Sequence, residues 1–243
     1  MPRLLKKNYS SLAGFYDVLM KGINYSRWAK YLFDITREYD ISVNTVLEIG
    51  GGNGKLANAL SRKFPKYYLS EKSPIFLAKS QFKKDKICCD MTALPFKEKF
   101  DFIFAAFDTV NYLSSKKSVA KTLSEVRAVL TENGVFTFDV SLESNSLSHL
   151  KGKRKNYNYL NQKIEHLSIY NEQSKVHTNE FIFRRDNRVL GKEIHKQKIF
   201  SFDFYLEQVD KNNFYVVDCL EAFSFKKGKP LSKRVQFILK KVK

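Results

Sequence analysis

The chain has 243 residues, 43% hydrophobic, 14% aromatic and 28% charged, with only 10 Gly and 5 Pro. That length holds one domain with an elaboration, or two small domains, and the composition excludes collagen-like, low-complexity and disordered classes. A formal charge of +18 raises polyanions, nucleic acid above all, as partners to be weighed.

The longest uninterrupted apolar run, Phe102 to Phe107, is far shorter than the roughly 18–20 residues that span a bilayer, so no membrane partner is expected. The start, M-P-R-L-L-K-K-N-Y-S-S, lacks the apolar core of a secretory signal, and a cytoplasmic location is expected. Three cysteines, two of them adjacent at Cys88 and Cys89, suit neither a disulfide framework nor a zinc site. They are expected as reduced thiols on a buried strand, and no metal is expected.

In chain order, the three-to-four apolar spacing of the first 40 residues predicts two amphipathic helices separated by a turn at Lys21-Gly22. N-T-V-L-E-I then reads as a strand, G-G-G-N-G as a loop and K-L-A-N-A-L-S-R-K-F as a helix. The unit repeats in Y-Y-L-S-E and S-P-I-F-L-A-K-S-Q-F, where Pro74 suits a first helical turn. K-I-C-C-D, F-D-F-I-F-A-A-F and V-F-T-F-D-V supply three more strands, the last preceded by a helix predicted to end at Glu132-Asn133-Gly134. Strands alternating with helices predict an α/β fold, a mostly parallel Rossmann-like sheet covered on both faces.

After Val140 the pattern changes. Residues 162–170, 175–185 and 188–200 read as three strands joined by polar turns. Residues 141–199 are therefore expected to form an inserted antiparallel sheet, with 1–140 and 200–243 forming the main domain. A helix at S-F-D-F-Y-L-E-Q-V and two closing strands, the last antiparallel, complete the main domain.

The informative stretch is Glu48-Ile-Gly50-Gly51-Gly52-Asn53-Gly54, where the first strand turns into a helix. Glycines there let the backbone pass close to a ligand. A dinucleotide pattern G-x-G-x-x-G fails in every register, meeting Lys55 where Gly50 would begin it. A phosphate-cradling G-x-x-x-x-G-K-[ST] fails as well.

The pattern E-x-G-x-G-x-G resembles the nucleoside-methionine loop of class I S-adenosylmethionine-dependent methyltransferases. The resemblance implies that Glu48 and Gly50, Gly51, Gly52 and Gly54 hold S-adenosylmethionine. It implies further that Glu71, at the second strand end, takes the ribose hydroxyls. Asp90, at the third, meets the adenine amine, with Met91 and Lys72 flanking the ring. Tyr16, Tyr25 and Trp28 look like the N-terminal aromatics of a small bacterial group of this family, where they cover the sulfonium by a cation–π contact. Phe107, closing the fourth strand, joins the cofactor set. Glu193-x-His195-x-Gln197-Lys198-x-Phe200 is similar to the close of the inserted sheet in that group.

The implied reaction is methyl transfer, which requires positioning and, for a protonated acceptor, a base. His195, Asp108 and Tyr112 are the candidates. No [DNS]-P-P-[YFW] signature follows the fourth strand, so a small-molecule acceptor methylated on N or O is expected. The alternatives are an RNA methyltransferase holding phosphates with the basic runs 151–155 and 226–243, or a non-catalytic cofactor-binding regulator. Oligomeric state is left open.

Overall fold

The computed structural model describes residues 20, 22–159, 161–186 and 188–242. Six helices are described: α1 (Tyr25–Glu38), α2 (Lys55–Leu60), α3 (Pro74–Lys79), α4 (Lys116–Val129), α5 (Glu143–Ser146) and α6 (Phe202–Lys211). The strands are β1 (Thr45–Ile49), β2 (Lys66–Glu71), β3 (Lys86–Cys88), β4 (Phe100–Ala105), β5 (Leu130–Ser141), β6 (Lys153–Tyr159), β7 (Gln162–Asn171), β8 (Val176–Arg185), β9 (Arg188–Lys198), β10 (Phe214–Glu221) and β11 (Arg234–Lys241). They form a seven-stranded sheet in the order β10-β11-β5-β4-β1-β2-β3 and a four-stranded sheet in the order β6-β7-β8-β9. The large sheet is parallel from β3 to β5, with β11 and β10 antiparallel, and the small sheet is antiparallel throughout.

Alternation along each strand divides the core between the two faces of the large sheet. Leu47, Ile49, Phe136, Phe138 and Phe237 pack with Leu123 and Val126 of α4 and Tyr205 and Val209 of α6. Val46, Tyr67, Phe102 and Ile238 pack on the other face with Leu32 and Ile35 of α1 and Leu56 and Leu60 of α2. Asn24 caps α1 by accepting the Arg27 N–H at 2.8 Å, and a stripe at 28, 29, 31, 32, 35 and 36 turns inward.

This topology sets the site. β1, β2, β4 and β5 bring Ile49, Glu71, Ala105 and Ser141 to one end of the sheet, where ligands of open parallel sheets sit. β11 runs the opposite way, so its first residue, Arg234, pairs with Ser141 at that same end.

Several local expectations need correction. α4 stops at Val129, and Glu132-Asn133-Gly134 lies within β5. Leu130 already pairs with Phe100 and Val135 with Phe102, so Thr131–Gly134 is an excursion opposite Asp101. Leu130 is fully buried, and its burial starts the ladder before the Asn-Gly turn. Cys88 is exposed and Cys89 half-buried, because β3 is a three-residue edge strand. The small sheet has a fourth strand, β6, containing Lys153-Arg154-Lys155. Lysines on an open edge prevent edge-to-edge pairing, which gives this basic run a structural reason. The first expected helix, with Tyr16, lies outside the described residues. No helix among those described is long and apolar enough to cross a membrane.

Candidate active site

The loop after β1 is built from inward-facing amides. Gly50 and Gly51 N–H both donate to the Ser70 carbonyl, Gly54 N–H donates to the Gly51 carbonyl, and Gly52 N–H donates to Glu71 Oε2 at 3.0 Å. With these four donors spent inside the protein, the loop has little left to cradle a phosphate. It offers instead a surface bare of side chains. Gly50 and Gly52 have φ of +72° and +55°, and a Cβ on Gly50 would stand 2.5 Å from Thr109 Cγ2.

Two carboxylates flank this surface. Glu48 is 2% exposed, and its Oε2 accepts the Tyr67 hydroxyl at 2.6 Å. Burial raises its pKa to about 8, partly offset by the Tyr67 bond. Such a group gains most from a cationic ligand, which would return it to the ionised state. Glu71 accepts the Ser73 N–H at 2.7 Å through Oε1 as well as Gly52 through Oε2. Burial raises its pKa, against those backbone bonds.

Two cavities meet at Gly50, Glu71, Thr109 and Tyr112. The first, ≈ 350 Å³, is lined by Tyr25, Glu48, Gly50, Gly51, Gly52, Glu71, Phe107, Asp108, Tyr112 and His195, together with Asn179, Phe181, Gln197 and Arg234. The second, ≈ 640 Å³, runs past Glu71, Lys72, Ser73, Cys89 and Met91 to Ile194 and Lys196. Twelve of the residues singled out in the sequence therefore share one cleft.

Three others stand behind its walls. Gly54 (φ +73°) precedes α2, and a Cβ there would collide with Ser80 and Phe82. Trp28 packs against Phe107 and Phe223, with ring centroids at 4.6 and 4.4 Å. Asp90 pairs with Lys72 at 2.6 Å and accepts from Thr92. Burial raises its pKa, but the Lys72 and Thr92 bonds outweigh that and leave it lowered.

Asp108 is tied into a buried ion cluster. Arg234 Nη1 lies 2.5 Å from Asp108 Oδ1, Nη2 donates to Asp108 Oδ2 at 2.7 Å, and Nη1 also donates to the fully buried Asp139. Burial raises the Asp139 pKa to about 7 against the pull of Arg234. Sequence reasoning missed Arg234, Asn179 and Thr109. No local motif marks Arg234, which sits in a basic tail 126 positions from Asp108.

All four His belong to the small sheet or its approach. Ser146 Oγ and Ser168 Oγ each lie 2.8 Å from a ring nitrogen of His177, and Ser168 also reaches His149 at 2.9 Å. Burial, then His149, lowers the His177 pKa to about 4. Between pH 6.5 and 4 the unfolded chain takes up a proton that the fold refuses, so stability falls as pH falls and the loss is complete below about 4. Thermal melts should show an acid loss on the order of 2–3 kcal/mol that is smaller in His177→Asn; identical slopes would contradict it.

A model of the methyltransferase domain matches residues 23–176. The chain belongs to this methyltransferase family. A protein of Geobacillus sp. (strain WCH70) named "Putative methyltransferase" is 25% identical over 96% of this chain and 99% of its own. An S-adenosylmethionine-dependent methyltransferase from Clostridium acetobutylicum ATCC 824 superposes with a TM-score of 0.82 at 20% identity, covering 97% of this chain and 99% of that one. The sugar N-methyltransferase KedS8 from Streptoalloteichus sp ATCC 53650 gives 0.78 at 16% identity, over 94% and 93%. CalS10, an amino pentose methyltransferase from Micromonospora echinaspora, solved with S-adenosylmethionine bound, gives 0.76 at 16%, over 94% and 97%. The chain has the Rossmann-like fold of S-adenosylmethionine-dependent methyltransferases.

The cleft of this methyltransferase fits S-adenosylmethionine. A buried carboxylate of raised proton affinity suits an ammonium, and a phosphate-poor loop suits a nucleoside without pyrophosphate. Glu71→Ala should weaken binding by about 1.5–3 kcal/mol, the range for hydrogen bonds to a charged group. A titration of the folded variant with unchanged affinity would leave Glu71 with only its Gly52 and Ser73 bonds.

Proposed function

We propose that this methyltransferase transfers a methyl group from S-adenosylmethionine to a nitrogen or oxygen of a small-molecule acceptor, held between the glycine loop and the small sheet. In this reading residues 1–140 and 200–243 bind the cofactor and 141–199 form a lid. Glu48 receives the cofactor's ammonium and Glu71 its ribose hydroxyls. Lys72, Met91 and Asp90 border the adenine, and Gly50 to Gly52 admit the close approach. Tyr25 and Phe107 cover the sulfonium, with Trp28 holding Phe107 in place. The cofactor supplies a methyl already activated on a cationic sulfur. The protein therefore contributes positioning, which alone can supply about 7–11 kcal/mol, and exclusion of water.

The observation that carries the reading is the wall of the ≈ 350 Å³ cavity. Its acceptor side is closed by Asn179 and Phe181 of β8 and His195 and Gln197 of β9. These four side chains of the small sheet stand opposite Glu48 and the glycine loop across the cavity, a setting that suits a small acceptor. The basic runs contribute only one residue to it among those described, Arg234, and that guanidinium is engaged by Asp108 and Asp139. KedS8 and CalS10 act on sugars, acceptors of this size class.

Incubating the protein with methyl-labelled cofactor and a cell extract, then separating metabolite, RNA and protein fractions, tests the proposal. Label should enter the metabolite fraction. Label confined to RNA would establish the basic runs as a binding surface and overturn the small-acceptor reading.

A further inference from the structure

The charge of the cavity opposes the charge of the chain. With a formal +18 overall, the protein surrounds its ≈ 350 Å³ cavity with Glu48, Glu71 and Asp108, against Arg234 as the one Lys or Arg among the described lining residues. Arg234 is shared between Asp108 and Asp139, so its field toward an acceptor is largely cancelled. A further carboxylate stands behind the acceptor wall. Glu193 and His195 occupy alternate positions of β9, so both side chains point to the same face of the lid. They are 3% and 2% exposed, and His195 Nε2 lies 3.5 Å from Glu193 Oε2. That separation is an ion-pair contact, longer than a good hydrogen bond, and such contacts tighten when the reacting complex forms.

Aromatic rings and an amide also border His195. The Tyr112 ring lies edge-on at 6.2 Å and Phe181 at 5.7 Å, and Asn179 faces His195 across the β8–β9 ladder. His166, stacked on the far side of Phe181, has its pKa lowered by burial. The Lys residues of β9, at 192, 196 and 198, alternate with Glu193, His195 and Gln197 and so belong to the opposite face.

Resting on the small-acceptor reading above, we infer that the acceptor is an aliphatic amine arriving as its ammonium ion, and that Glu193 is the positioning residue that enables His195 to take its proton. An ammonium has no lone pair to offer. One N–H proton passes to the His195 imidazole, the N–H electron pair stays on nitrogen as the nucleophilic lone pair, and the imidazolium formed faces the Glu193 carboxylate. Charge is conserved: ammonium and neutral imidazole become neutral amine and imidazolium. Among the described lining residues the only Lys or Arg, Arg234, is engaged by Asp108 and Asp139, so the cavity offers phosphates and carboxylates no open cation, while His195 and Glu193 prepare the amine.

The test uses the full chain with methyl-labelled S-adenosylmethionine and a size-matched panel of primary and secondary alkylamines, alcohols, phenols and carboxylates. Cofactor binding is measured in parallel. Transfer is expected to amines alone. At pH 7, His195→Ala should lower the rate about 10²-fold and Glu193→Gln about tenfold, with cofactor affinity unchanged in both. Above about pH 10, where the amine is neutral without help, both variants should approach the wild-type rate. Glu193→Asp should restore part of the loss. A merely structural Glu193 would give a deficit independent of pH.

Cofactor binding with transfer to hydroxyl or carboxylate acceptors, or with no transfer to any amine, overturns this inference. A pH-independent deficit in both variants does the same. Failure to bind S-adenosylmethionine would instead overturn the underlying functional reading.

Discussion

Replacing Arg234 with Met should destabilise the protein by about 3–5 kcal/mol, the range for removing one partner of a buried ion pair. Met preserves much of the aliphatic stem, so the loss reports the charge. Asp139 is fully buried, with its pKa already raised to about 7 by burial despite Arg234, and Asp108 stands beside it. Without the guanidinium two carboxylates face each other at the end of β5. The loss should shrink toward pH 5, where Asp139 takes up a proton and no longer needs a counter-charge. Urea unfolding at pH 8 and pH 5 measures both effects. A change below about 1 kcal/mol at pH 8 would mean that the cluster is neutral in the fold.

Gly52→Val should reduce affinity for S-adenosylmethionine by about a hundredfold or more while leaving a folded protein. Valine at φ +55° is strained by about 1–3 kcal/mol. Displacing the Gly52 N–H from Glu71 forfeits a charged hydrogen bond of about 1.5–3 kcal/mol and unseats the carboxylate. The branched side chain on the loop surface and the unseated Glu71 carry the loss of affinity, a hundredfold corresponding to about 2.8 kcal/mol. Calorimetry on the variant, with circular dichroism to verify folding, should show this. Wild-type affinity in a folded variant would show that the loop does not touch the ligand.

The parts of the site legible in the sequence are those where backbone and chemistry impose a residue type locally. Gly50 and Gly52 hold positive φ, and Gly54 holds the same conformation where Ser80 and Phe82 leave no room for a side chain. Glu48 and Glu71 close adjacent parallel strands, so their spacing follows from one strand–helix–strand unit. The alternating pattern made the parallel sheet readable for the same reason.

What was illegible depends on contacts distant in sequence. Arg234 has the composition of a solvated tail, and only the antiparallel return of β11 brings it beneath Asp108. Lys153-Arg154-Lys155 shows no strand signal because an edge strand can be polar on both faces. Trp28 resembles a cofactor aromatic, yet a buried Trp on the inner stripe of α1 serves equally to support Phe107. Glu132-Asn133-Gly134 carries a true stop signal, displaced into the strand because the Leu130–Phe100 pairing precedes it.

The most direct test of the account is a calorimetric titration of the wild-type protein with S-adenosylmethionine, its demethylated product, NAD and ATP. The glycine loop has spent its amides within the fold and is flanked by two buried carboxylates, so both sulfur nucleosides should bind with one-to-one stoichiometry while NAD and ATP give no heat at micromolar concentrations. Micromolar binding of NAD, with none of S-adenosylmethionine, would contradict it.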